Sequence, residues 1–275
     1  MPTSSLVNIA GRTIILDCGL GVTRGLMAQE VRLEDLDTII ITHLHSDHYL
    51  ELGPLIHTAW TGGARQPIMV YGPSGLKSYW RAFYESMRFD IDLRRANEGL
   101  PELADLVSFE VIEPGAIFDR DGLHVSALPN HHPPITESYA VCFETDTIKL
   151  VFSGDTAPFD GFTKFAACAD LLVHEALLSA GIERIIARTG LGDKLRKHLT
   201  ENHTLAEDVG QIASAARVGS LALHHLVPAD DPEFGLQDWE REVRKNWSGL
   251  LHVGRDGMKI RLADNRNGIN NPQKS

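Results

Sequence analysis

Short apolar stretches rich in β-branched residues recur along the chain, and they predict many short strands. Residues 6–10 and 13–17 flank a Gly11-Arg12 turn, which predicts a hairpin. Residues 38–42 form a continuous apolar, β-branched run, as expected of a strand buried on both faces. The same reasoning predicts strands over residues 67–71, 107–113, 123–128, 138–144, 148–153, 171–174, 221–224, 250–253 and 258–262.

Helical periodicity appears between these strands. The clearest helix covers residues 205–218, whose apolar positions share one face: Leu205, Val209, Ile212, Ala213 and Ala216. Thr204 and Glu207 have the spacing of a capping box at its start. Other helices are predicted over residues 51–60, 74–88, 162–168 and 236–247. Strands with interspersed helices predict layered sheets that are covered by helices on the outside.

Composition narrows the class of protein. The 275 residues are 43% apolar and 23% charged, as in a globular domain. The net charge of −11 argues against a nucleic-acid partner, since such binders normally carry a basic face. The three cysteines are widely spaced and odd in number, which predicts no disulfide framework and a reducing, cytoplasmic location. No signal peptide and no apolar run long enough for a membrane span is recognised.

Four potential metal ligands follow the apolar run at 38–42 within six residues: His43, His45, Asp47 and His48. Alternate residues of an extended chain point the same way, so His43 and His45 can hold one ion. Asp47 and His48 come where the chain would turn into a helix, and they can face a second ion. The alternative, a set of solvated loop histidines, leaves this density of titratable groups without a reason. Imidazoles with one carboxylate suit zinc, and manganese or iron accept such sets.

Residues 43–48 match the HxHxDH signature of the metallo-β-lactamase superfamily. Later segments resemble the branch that includes tRNase Z and the zinc-dependent arylsulfatases, in the family's order: residues 128–134 (LPNHHPP), 152–156 (FSGDT), 173–176 (VHEA), 202–204 (NHT) and 223–226 (LHHL). This resemblance implies an α/β (α+β) fold, a four-layer αββα sandwich that forms a single domain over residues 1–264. The polar residues 265–275 would be a C-terminal tail.

The resemblance also implies two divalent metal ions held by seven residues. The ligands of the first metal would be His43, His45 and His132, those of the second Asp47, His48 and His225, and Asp155 would bridge both. In this branch, a hydroxide that bridges the two metals attacks the substrate. Zinc is the expected metal, with manganese or iron as alternatives.

Two of these assignments choose between neighbouring histidines. We prefer His132 to His131 because six residues separate it from Tyr139, which is the family's spacing. We prefer His225 to His224 because the family's ligand is followed by an apolar residue. The other histidine of the second pair would lie on a strand and pack behind the site.

The resemblance implies catalytic roles for His203, Glu175 and Asp47. Asp47 would also be a metal ligand. Glu175 would orient or charge His203, and His203 would stabilise the transition state or protonate the leaving group. The alternative is that His203 is an ordinary residue at a helix start. His174 would face away from Glu175 on the same strand and contribute to packing.

The expected substrate is a small organic molecule with an ester-type bond, namely a carboxylic ester or lactone, a sulfate ester or a phosphodiester. A tRNase Z-type endoribonuclease is the alternative. It is disfavoured because bacterial tRNase Z carries a basic arm between the third histidine and the bridging aspartate, where only 22 residues occur here. A non-catalytic metal-binding effector would usually lack a ligand, and a flavo-diiron protein would bring a flavin domain. A homodimer is an expectation at the level of the family.

The segment at 79–89 carries six aromatic or methionine side chains at helical spacing. Core packing is the first interpretation, and an apolar wall over the metal centre or a dimer surface is the alternative. Arg94 and Arg95 follow in a stretch that resembles relatives of the arylsulfatase type. They could meet an anionic substrate, although a solvated position is slightly preferred.

Overall fold

The computed structural model describes residues 3–262. Its first sheet has five strands in sequence order. The predicted hairpin forms its edge and the next three strands join in parallel: β1 (Ser5–Ile9), β2 (Arg12–Leu16), β3 (Thr38–Ile40), β4 (Ile68–Gly72) and β5 (Val107–Val111). The carboxyl ends of β2, β3 and β4 therefore meet at one edge of the sheet.

The second sheet has seven strands in the order β12-β11-β10-β9-β8-β7-β6. The strands are β6 (Gly115–Arg120), β7 (Leu123–Pro129), β8 (Tyr139–Glu144), β9 (Lys149–Phe152), β10 (Leu171–Leu177), β11 (Ser220–Val227) and β12 (Leu250–Val253). Strands β6 to β9 are antiparallel, whereas β9 to β12 run parallel. The parallel part again gathers several carboxyl ends at one edge.

Ten α-helices connect the described strands. They are α1 (Val22–Ala28), α2 (Ser46–Tyr49), α3 (Leu52–Thr61), α4 (Leu76–Ser86), α5 (Arg88–Glu98), α6 (Asp160–Phe165), α7 (Ser179–Thr189), α8 (Gly192–Asn202), α9 (Ala206–Ala216) and α10 (Leu236–Val243). Among residues 3–262, no helix combines the length and the apolar character that a membrane crossing requires.

Three apolar layers hold the molecule together. The central layer lies between the sheets and includes Ile14 and Ile40 from the first sheet and Phe143 and Phe152 from the second. A second layer joins the first sheet to α3 and α4, and a third joins the second sheet to α6, α9 and α10. This arrangement confirms the predicted αββα sandwich. The predicted tail at 265–275 lies outside the described residues.

Several local predictions were incomplete or wrong. Strand β6 and helices α1, α5, α7 and α8 were missed. The sequence of α5 is mostly polar, and only Ile91 is buried in it. Residues 258–262 form no strand, although Ile260 and Leu262 pack on the layer between the sheets. The capping box was also wrong. The Thr204 hydroxyl donates to the carbonyl of Thr156 at 2.6 Å and does not cap α9.

Candidate metal centre

Asp17 organises the loop that follows β3. It lies just after β2 with a positive φ of 63°, and its carboxylate accepts hydrogen bonds from Thr42 N at 2.7 Å and from Thr42 Oγ1 at 3.0 Å. The same carboxylate lies 2.8 Å from Nδ1 of His48. Asp17 was not predicted as a site residue, although Asp17 ends the predicted strand 13–17, beside the strand that leads to His43.

Three histidine nitrogens form one compact group. Nε2 of His43 and Nε2 of His132 each lie 3.1 Å from Nδ1 of His45. Nitrogen ligands about 2.0–2.1 Å from a tetrahedral zinc ion are about 3.3–3.4 Å apart, so this spacing fits a single metal ion. Nδ1 of His132 donates to the Asn202 carbonyl at 2.9 Å, which turns its other nitrogen toward the group. Burial lowers the pKa of His132 to about 4, so the ring is neutral and able to bind metal at neutral pH.

A second group combines Asp47, His48 and His225. Oδ2 of Asp47 lies 3.2 Å from Nε2 of His225. Oδ2 of Asp155 is 3.4 Å from Nε2 of His48 and 3.6 Å from Nε2 of His225, and it is 3.9 Å from Nε2 of His43 in the first group. Asp155 is thus placed between the two groups, as the bridging role requires.

The polar atoms left over at this position also fit metal ions. Nε2 of His48 and Oδ1 of Asp155 are buried, and neither has a hydrogen-bond partner among residues 3–262. Burying such atoms without a partner is costly, and a bound cation would satisfy both. All seven residues proposed as ligands from the sequence lie in these two groups.

Two irregular backbone positions bring distant residues to the site. Gly154 has a φ of +59°, and a Cβ there would lie 2.6 Å from the Tyr139 carbonyl oxygen, so the turn that delivers Asp155 requires glycine. A β-bulge in β11 leaves His225 without a partner in the ladder, at a φ of 43°. The extra residue lets His225 reach the metal centre before Leu226 returns to the layer against the helices.

The neighbouring histidines differ in burial and position. His132 is buried within the first group, whereas His131 is exposed. His224 packs near Phe152, with ring centroids 6.2 Å apart, and does not enter either group.

Glu175 and His203 form a buried pair beside the two groups. Oε2 of Glu175 lies 2.7 Å from Nδ1 of His203, and its Oε1 accepts a hydrogen bond from Thr156 N at 2.7 Å. Burial disfavours a charged imidazole, but the adjacent Glu175 carboxylate outweighs it and raises the pKa of His203 to about 9. The shift favours the protonated imidazole at neutral pH. His174 packs on the opposite face of β10 against Phe162, with ring centroids 5.1 Å apart.

Residues of both metal-binding groups, together with His203, line an open cavity of about 310 Å³. Its wall includes His45, Asp47, Asp155, His203, His225 and, in addition, His198. No role was assigned to His198 from the sequence, because α8 was not recognised. A helix over residues 192–202 would have placed it one turn before Asn202, next to His203.

The aromatic segment does not line this cavity. Trp80 is buried against the first sheet, and the Tyr79 hydroxyl donates to the Leu50 carbonyl at 2.6 Å. Arg94 pairs with Asp90 at 2.9 Å, while Arg95 pairs with Glu102 at 2.7 Å. Core packing therefore accounts for this segment except Phe89, which is 82% exposed, and the two arginines pair with acidic neighbours.

Comparisons with known proteins place the chain in a family. The model of the family described as "Anti-Pycsar protein Apyc1" matches residues 2–189. The ribonuclease Z of Mycobacterium bovis (strain BCG / Pasteur 1173P2) is 30% identical over 271 residues, which cover 96% of this chain and 92% of that protein.

Two solved structures share the fold. The metallo-β-lactamase fold protein YhfI from Bacillus subtilis has a TM-score of 0.67 at 22% identity, covering 94% of this chain and 90% of that one. Zn²⁺-bound PqqB from Methylobacterium extorquens has a TM-score of 0.66 at 18% identity, covering 94% and 87%. With its histidine and aspartate groups, the chain is a metal-dependent hydrolase of the metallo-β-lactamase fold that belongs to the Apyc1 family and is related to ribonuclease Z over nearly its whole length.

Proposed function

We propose that the protein is a phosphodiesterase that hydrolyses a small nucleotide, with a cyclic mononucleotide as the substrate class. The observation that carries this proposal is the pair of donor groups that share Asp155, with the proton donor His203 beside them. A relative that is 30% identical is named a ribonuclease, and the bonds of RNA are phosphodiesters. The matching family is described by an anti-Pycsar protein, which also supports a nucleotide substrate.

Zinc is the metal that we propose for both positions. Three imidazole nitrogens at near-tetrahedral spacing favour it, and a protein of the same fold is zinc-bound. Manganese and iron are the alternatives. When bound, the two ions would supply an activated water molecule and a Lewis acid for the phosphoryl oxygen.

The chain's own residues complete the reaction. The attacking water gives up a proton to solvent, and its oxygen bonds to phosphorus while the bond from phosphorus to the leaving sugar oxygen breaks. His203 donates a proton to that oxygen, and Glu175 at 2.7 Å keeps the imidazole protonated and oriented before the step. Asp47 would bind the second ion at the cavity wall and orient the water molecule.

Size favours a small substrate over RNA. The cavity of about 310 Å³ lies at the lower end of the ~300–1,000 Å³ range of small-molecule sites. The 22 residues between His132 and Asp155 lead into β8 and β9, which leaves no length for an RNA-holding arm at that point. The net charge of −11 also disfavours a polyanion. The second candidate is an endoribonuclease, which the relatedness to ribonuclease Z over 96% of the chain favours.

A substrate panel separates these candidates. The zinc-loaded protein would be assayed on cyclic mononucleotides, a precursor tRNA, an aryl sulfate and an aryl carboxylic ester, each with and without a chelator. We expect chelator-sensitive opening of a cyclic nucleotide to a nucleoside monophosphate, restored by added zinc. Cleavage of the precursor tRNA alone would replace the proposal by the endoribonuclease, and cleavage of a sulfate or carboxylic ester alone would contradict phosphodiester chemistry.

A further inference from the structure

His198 is a histidine of the cavity wall that belongs to neither metal-binding group. It lies on the last full turn of α8, and its ring centroid is 6.0 Å from that of His45 and 5.7 Å from that of His203. The ring therefore lies close to both a proposed metal ligand and the proposed proton donor. All three side chains line the same cavity.

Asn202 holds this ring in place. Its side-chain Nδ2 lies 2.7 Å from Nδ1 of His198, and its carbonyl accepts the hydrogen bond from His132 at 2.9 Å. Asn202 is only 4% exposed, so both contacts are shielded from water. One buried residue thus fixes the relative positions of a proposed metal ligand and of His198.

The contact with Asn202 also determines what the ring can offer to a ligand. When Nδ1 accepts a hydrogen bond from the Asn202 amide, the proton of the neutral imidazole lies on Nε2. Within residues 3–262, no protein group is hydrogen-bonded to that Nε2.

We propose that His198 is a substrate-binding residue, whose Nε2–H donates a hydrogen bond to a non-bridging phosphoryl oxygen on the side of the first metal group. This inference rests on the proposed function. It adds to that function the residue that selects an anionic phosphoryl group. A hydrogen bond to a charged oxygen corresponds to about a ten- to hundredfold change in affinity.

The test uses the zinc-loaded protein with three variants. His198→Ala removes the donor, His198→Gln restores an amide N–H at nearly the same reach, and Lys197→Ala is the matched control. Lys197 is the neighbouring residue of α8, with a side chain that is 72% exposed. Metal content is measured for each variant, because the substitutions should leave two ions per chain.

Two measurements then decide the proposal. Binding of inorganic phosphate is followed by titration calorimetry, and kcat and KM are determined with a cyclic nucleotide. We expect His198→Ala to weaken phosphate binding and raise KM by about tenfold or more, with most of the loss recovered in His198→Gln and no change in Lys197→Ala. Phosphate affinity and KM within about twofold of the parent in His198→Ala would overturn the proposal, as would a loss that accompanies loss of metal.

The phosphate titration separates this inference from the proposed function. If no variant hydrolyses a phosphodiester but phosphate binding still depends on His198, the proposed function fails and the binding role stands. If the parent opens a cyclic nucleotide and His198→Ala does so equally well, the proposed function stands and the binding role is wrong.

Discussion

The two sheets contribute to the metal centre in different ways. The first sheet supplies four donors from one continuous segment after β3, and Asp17 at the neighbouring strand end anchors them. The second sheet supplies its donors one at a time, from the ends of β7 and β9 and from within β11. A short segment can be read directly from the sequence, whereas donors from separate strands depend on turns, bulges and the packing of the whole sheet.

We expect the largest effect from removing the Asp155 carboxylate, which lies between the two metal-binding groups. Asp155→Ala takes away the only carboxylate that lies within 3.9 Å of nitrogens from both groups in the described part of the chain. We expect at least one metal ion per chain to be lost and kcat/KM to fall by about a thousandfold or more, measured by metal analysis and turnover. The control is Asp146→Ala in the exposed turn between β8 and β9. Full activity with both ions retained would remove Asp155 from the bridge.

The next largest effect concerns His203, which is proposed to act in the chemical step without binding metal. His203→Ala should keep both ions and lower kcat by about 10²- to 10³-fold, because it removes the proton donor and leaves both metal groups in place. The loss should be greatest for substrates with poor leaving groups, which need the proton most. Equal rates in the variant and the parent across a series of leaving groups would make His203 a bystander.

A smaller effect tests the anchor of the first sheet. Asp17→Asn keeps the size of the side chain but weakens its contact with Nδ1 of His48, which is 2.8 Å long. Removing such a supporting partner typically lowers metal affinity about 10- to 100-fold. Competition with a chelator would measure this change, and unchanged affinity would show that the loop orients His48 without Asp17.

The turn before Asp155 tests how strongly the second sheet depends on backbone geometry. In Gly154→Ala the new Cβ would meet the Tyr139 carbonyl oxygen at 2.6 Å, in addition to the cost of a positive φ. We expect the free energy of unfolding to fall by about 2–4 kcal/mol. Gly11→Ala is the matched control, since it has a φ of +73° but no atom within 4 Å of the new Cβ, and should cost about 1–2 kcal/mol. Equal losses, measured by denaturant unfolding, would contradict a close approach at Gly154.

The smallest effect separates two adjacent histidines. His131→Ala should leave metal content and turnover unchanged because the side chain is exposed, whereas His132→Ala should lose metal from the first group. The reverse pattern would place the ligand at His131.

The same contrast explains how far the sequence could be read. The ligand segment at residues 43–48 is recognisable from local sequence alone, and the strands with interspersed helices predicted layered sheets covered by helices. The four-layer αββα sandwich was predicted only through the resemblance to a family. The exposure that distinguishes His132 from His131, and the bulge that admits His225 but not His224, are properties of the folded sheet. The sequence suggested both outcomes only through the resemblance to a family.

Other parts of the site could not be predicted because the elements that carry them are polar. In α8, Leu199 is one of only two buried side chains, so its periodicity did not predict a helix, and the positions of His198 and Asn202 were missed with it. Asp17 could be located from the sequence, because it ends a predicted strand. Its contact with the loop after β3 could not be predicted until β2 was known to lie beside β3.

The account rests on one site with two metal ions that is built from both sheets. Its most direct test is the number of metal ions per chain, measured by elemental mass spectrometry after the protein has been stripped with a chelator, reloaded with zinc and desalted. We predict two zinc ions per chain. One ion or none after reloading would contradict the binuclear site and, with it, the shared position assigned to Asp155.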